Sequence, residues 1–106
     1  MAAAIEVDTL QGVLGSNVWF HLDLDNDVLY LREHDTRREP AFGEESPEGF
    51  TILYTDSGRV AGMTVVNYWH RFGRGDVTRS SIQSVKDQLS AWAQRHFPAP
   101  VKASDW

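Results

Sequence analysis

The chain has 106 residues, 42% of them apolar and 24% charged, and a formal net charge of −5. That length suits one domain and is short for two, and the composition is globular rather than disordered. The absence of cysteine excludes disulfides, thiolate metal sites and cysteine nucleophiles, and the acidic balance argues against nucleic acid as a partner.

The start, Met1-Ala2-Ala3-Ala4-Ile5-Glu6, lacks the basic and then apolar stretch of an export signal, and no apolar run reaches the length of a membrane span. The expectation is a cytoplasmic protein that does not enter membranes. Residues 1–97 are expected to form a single α+β domain. Residues 98–106, with Pro98 and Pro100 near their start and Trp106 at the end, read as an irregular tail.

Period-two patterning begins at Asn17 and runs to Asp23: Val18, Phe20 and Leu22 point one way, Trp19 and His21 the other. Asp25-Asn26-Asp27 suits a tight turn, because Asp and Asn tolerate left-handed backbone. A second strand follows from Val28 to about Glu33, with Leu29 and Leu31 opposed to Val28 and Tyr30. Residues 34–48 are polar, with a weak edge strand near Arg38–Phe42 that Pro40 suits. Gly49–Thr55 alternates again. Asp56-Ser57-Gly58-Arg59 then closes a hairpin onto a strand from Val60 to Tyr68, rich in β-branched residues. Gly62 inside that strand marks a bulge or a close backbone approach.

Trp69 to Asp76 reads as a glycine-bearing loop. A helix is expected over residues 80–96, with Ser80 and Gln83 as a capping box. Its apolar stripe is Ile82, Val85, Leu89, Trp92, Ala93 and His96. Phe97-Pro98 stops it, since a residue before proline disfavours the α region. The fold expected is therefore an antiparallel β-meander of four to five strands with one C-terminal amphipathic helix packed on it. Such a sheet carries apolar residues on both faces, and one helix covers one face. Either the segment from Ile5 to Leu14 covers the other, or a second copy or protein partner does.

Two stretches resemble a bacterial family, catalogued as domain of unknown function 2283. They are Asp25-Asn26-Asp27-Val28-Leu29-Tyr30-Leu31-Arg32 and the run from Gly49 through Gly58-Arg59-Val60 and Gly62 to Val65. The resemblance covers residues 17–68. It implies a short antiparallel meander and transfers no activity or site. The N-terminal extension, the linker at 34–48 and the C-terminal helix depart from it.

Little in the chain spells chemistry. Asp23-x-Asp25-x-Asp27 imitates the opening of a calcium loop, but Val28 stands where glycine is needed and His34 where a bidentate glutamate belongs. His21, His34, His70 and His96 show no metal-ligand spacing, and no serine sits in a nucleophile elbow. No catalytic residue, metal or cofactor is therefore expected. Arg71, Arg74 and Arg79 can form a local basic patch. The segment Tyr68-Trp69-His70-Arg71-Phe72 is the candidate binding surface, since aromatic residues beside arginine are enriched at hot spots. The reading is a non-enzymatic, self-associating interaction module. The alternative is a small-molecule binder or minor enzyme with a pocket between sheet and helix, using Trp69, His70 and Arg71.

Overall fold

A computed structural model describes residues 9–14 and 17–97, without the side chain of Arg79. The sheet has six antiparallel strands: β1 (Thr9–Leu14), β2 (Val18–Asp23), β3 (Val28–Glu33), β4 (Ala41–Glu45), β5 (Thr51–Thr55) and β6 (Val60–Val66). Their spatial order is β1-β2-β3-β6-β5-β4, so two three-stranded meanders join through the β3–β6 pair. The architecture is α+β, with six strands where four to five were expected. The strand missed by the sequence pattern is β1. Thr9–Leu14 does not roof the second face; it pairs with β2 as an edge strand. The proline-rich tail and Trp106 lie outside the described residues, as does the stretch from Ile5 to Asp8.

The β2–β3 and β5–β6 turns carry the expected chemistry, whereas the edge strand lies later than Arg38–Phe42 and Gly49 belongs to a turn, not to the strand after it. Gly58 takes φ 86° in the β5–β6 turn, where Thr55 and Arg59 close the loop by a main-chain bond of 2.9 Å. Ser46-Pro47-Glu48-Gly49 turns β4 into β5 with Gly49 at φ 87°. Asp27 occupies the left-handed region at φ 56°, which a short polar side chain tolerates best among non-glycine residues.

Two helices follow β6. A one-turn helix α1 (Tyr68–Phe72) replaces the expected loop, and α2 (Ile82–His96) is the expected amphipathic helix. Thr78, not Ser80, begins the capping box: its hydroxyl and that of Ser81 answer each other across the 3-10 turn Arg79–Ser81. Val85, Leu89, Trp92 and Ala93 are buried as the stripe requires. They join Phe20, Leu22, Leu29, Leu31, Ile52, Met63 and Val65 in one core.

Strand register decides what that core takes from the sheet. Leu31 stands opposite Met63 and Leu29 opposite Val65, so the best apolar residues of β3 and β6 share the helix-covered face. Ala61 is the extra residue of a bulge between the Leu53–Gly62 and Tyr54–Val60 pairs. A Cβ on Gly62 would run into the Leu31 carbonyl oxygen, which is why glycine stands there. At the end of β3, Glu33 is fully buried on the same face. Its carboxylate accepts from Asn17 Nδ2 (2.7 Å), from the Asp35 and Thr36 amides (3.1 Å each) and from Arg59 Nη2 (3.3 Å). With four donors, this buried charge is structural, tying β3 to the β5–β6 turn.

Candidate functional site

The face turned away from α2 remains open among the described residues. It carries Val13, Trp19, Tyr30 and Val66, exposed by 59%, 44%, 43% and 55%. These four make the face a candidate interaction surface, although the most exposed large apolar side chain, Phe42 at 60%, lies on the opposite face, across from Tyr54. The face is mixed rather than greasy, for Gln11, His21, Asp23, Arg32, Thr51 and Thr64 alternate with them.

Its relief is uneven. On β2 and β3 the rings of Trp19, His21 and Tyr30 form a ridge, with centroids 6.2 Å and 5.9 Å apart along the series. On β6, β5 and β4 the face is low along one row. Leu53 lies between Gly62 and Gly43 in the ladder, and neither glycine adds height. Trp19, Arg32, Gly62, Leu53 and Gly43 form one cross-strand row, so ridge and trough lie side by side at the same level along the strands. Beside Trp19, a hollow of about 310 Å³ opens between Val13, Arg32 and the turn carrying His34 and Arg37. Arg32 fixes that turn by donating from Nη2 to the carbonyls of Thr36 (2.9 Å) and Glu39 (2.8 Å).

The segment Tyr68–Phe72 does not act as one surface, because a helix distributes its five side chains around its axis. Tyr68 is buried, and its phenol is pushed well above the usual range, first by burial and then by the Asp27 carboxylate, with Arg95 opposing. Trp69 lies against Gly73, at a distance that leaves no room for a Cβ there, and its Nε1 donates to the Gly75 carbonyl at 3.1 Å. His70 is exposed. Arg71 spreads over the rings of Phe72 (4.8 Å) and Phe50 (5.2 Å) and donates to the Glu48 carbonyl at 3.1 Å. Phe72 is half-buried against the core.

One distant residue makes this short helix possible. Asp27, in the β2–β3 turn, accepts from four consecutive amides. Its carbonyl takes Asn67 N (2.7 Å) and Tyr68 N (3.3 Å), and its carboxylate takes Trp69 N (2.6 Å) and His70 N (2.9 Å). These are the donors a helix start leaves without partners. Asp23 is also committed: Asn26 donates to it from backbone and side chain, holding its carboxyl below the usual range. Two aspartates of the apparent calcium motif, Asp23 and Asp27, thus serve the turn and the helix. Among the described residues, no group of three or more histidines and carboxylates is placed to hold a metal.

Between α1 and α2 lies a groove of about 510 Å³. Arg71, Arg74, Gln88, Trp92, Arg95 and His96 line it, and none of its lining residues is acidic. Trp69 and His70 are not part of its wall. Arg71 and Arg74 come together as the basic patch read from the sequence, but their third member is Arg95 from α2; the side chain of Arg79 lies outside the described part. The linear pattern does not point to Arg95, which at helical spacing falls off the apolar stripe.

No helix among the described residues is long and apolar enough to cross a membrane. Compared with known proteins, the chain matches no family model, and neither a curated protein nor a solved structure matches it.

Proposed function

We propose that the protein is a non-enzymatic binding module of the cytoplasm whose open sheet face pairs with the same face of a second copy. The observation that carries this reading is the relief of that face, an aromatic ridge beside a trough floored by Gly62, Leu53 and Gly43 in the same row. A two-fold axis in the interface, parallel to the strands and close to β6, brings the Trp19 ridge of each copy over the trough of the other. Self-complementarity of this kind is what a closed dimer requires.

The size of the face sets the strength. Six strands about 4.8 Å apart and about six residues long give roughly 500 Å². Two such faces bury about 1,000 Å², the lower bound for a specific interface. An interface of that size belongs with the small, transient associations. The polar residues between the apolar ones suit a surface that also meets water in the free chain.

Sedimentation velocity from about 1 µM to about 500 µM tests the proposal across that range. The wild-type chain is expected to shift from monomer to dimer. Trp19→Lys and Tyr30→Lys, at half-exposed positions, are expected to stay folded and monomeric throughout. A wild-type chain monomeric at every concentration, or a dimer that both variants retain, overturns it.

A further inference from the structure

We propose that the groove between α1 and α2 binds the phosphoryl group of a small molecule, with Arg71, Arg74 and Arg95 as its ligands. The chain carries more acids than bases, 15 Asp and Glu against 10 Lys and Arg, yet this groove gathers three arginines and no acid. Among the described residues none of the three has a carboxylate within ion-pair distance; the arginine ion pairs of the fold belong to Arg59. Three arginines thus line one groove with no carboxylate among its lining residues to neutralise them.

The groove is built, not incidental. Gln88 on α2 clamps the Arg74 backbone from both sides: its Oε1 accepts from Arg74 N at 2.9 Å and its Nε2 donates to Arg74 O at 3.2 Å. That holds the segment after α1 against α2 and leaves the Arg74 side chain at the rim. Arg71 is flattened on Phe72 and Phe50 and uses one N–H on the Glu48 carbonyl, which leaves further donors of its fork. His96 stacks on Trp92 at 4.6 Å and 20°, and its Nδ1 lies 3.0 Å from the Trp92 carbonyl. A carbonyl only accepts, so Nδ1 carries the proton there, and Nε2 donates to an anion only when the ring is the cation. Trp92, on the wall, is buried with an indole N–H that has no partner.

The number of cations selects the anion. One guanidinium fork satisfies a carboxylate, whereas three suit the higher charge and the tetrahedral oxygens of a phosphate. The volume falls in the range of small-ligand sites, and the net charge of −5 disfavours a long nucleic-acid backbone. The groove lies on the helix side of the sheet, so this site does not depend on pairing through the open face.

Amide NMR titrations of the full chain in about 150 mM sodium chloride, with inorganic phosphate, pyrophosphate and glycerol phosphate as separate probes, decide the matter. Saturable shifts are expected at Gly73, Arg74, Gln88, Arg95 and His96 with at least one probe. Tighter binding of the ester assigns an organic phosphate, and tighter binding of inorganic phosphate or pyrophosphate assigns the free anion. Arg74→Ala and Arg95→Ala, both at exposed positions, are expected to weaken binding about tenfold each, the loss of one charged hydrogen bond, while Arg38→Ala leaves it unchanged. Linear, unsaturated shifts with all three probes overturn the proposal. So do shifts that sulfate reproduces in full, or equal losses in the groove variants and the Arg38→Ala control.

Discussion

Removing the Asp27 carboxylate unties α1 from the sheet, and the four bonds it organises allow the cost to be worked out. A lost N-cap side chain costs about 0.5–2 kcal/mol, and a hydrogen bond to a charged group is worth about 1.5–3 kcal/mol. Two such bonds end on the carboxylate, at 2.6 Å and 2.9 Å, but the site is only half-buried, so the pair together is worth about 1–3 kcal/mol. The left-handed backbone at φ 56° adds about 1 kcal/mol for a residue that resists it. Three substitutions separate these contributions. Asp27→Asn keeps the backbone preference and one acceptor, and is expected to cost about 0.5–1.5 kcal/mol. Asp27→Gly keeps only the backbone freedom and costs about 1–3 kcal/mol. Asp27→Ala loses both and costs about 2–4 kcal/mol. Urea unfolding gives the three values, with an unchanged slope showing that two-state behaviour holds. Hydrogen exchange adds a local readout, since the amides of Trp69 and His70 should lose protection before the core strands do. If all three variants fall within about 0.5 kcal/mol of wild type, or if those amides stay protected, Asp27 does not hold α1.

Gly62→Ala drives a methyl group against the backbone oxygen of Leu31, which has no rotamer to escape by. A loss of about 2 kcal/mol or more in chemical denaturation is expected, and a neutral result would disprove the close approach of β6 to β3. Tyr68 has the opposite signature, visible only at high pH. Its folded pKa lies above the unfolded value, so its contribution is whole below about pH 10 and declines as pH rises beyond that. Urea midpoints measured from about pH 9 to about pH 11 should fall more steeply for wild type than for Tyr68→Phe; parallel curves would refute the burial of that phenol.

What the sequence makes legible is whatever is local. The β2–β3 and β5–β6 hairpins stand out because each joins a period-two run to its own turn, and α2 stands out because Val85, Leu89 and Trp92 repeat at helical spacing. The β1 strand does not, because Gln11-Gly12 interrupts its apolar run and its partner chooses it. The helix α1 is five residues long, too short to declare itself, and is held by a residue 42 positions away. The apolar balance of the two faces was hidden for a similar reason: only the β3–β6 register shows that Met63 and Val65 turn inward. At the candidate site, Arg71 and Phe72 reach the groove, Tyr68 joins the core, and Trp69 and His70 turn elsewhere. Helical geometry scatters neighbours that a linear motif keeps together.

The two rims of the sheet are unlike. β4 begins after Pro40 and ends in Glu44 and Glu45, whereas β1 reads Thr-Leu-Gln-Gly-Val-Leu with no charge at all. Charge and proline deter a foreign strand from hydrogen-bonding alongside, and their lack invites one. Among the described residues, the β1 edge therefore carries less protection against an added strand than the β4 edge.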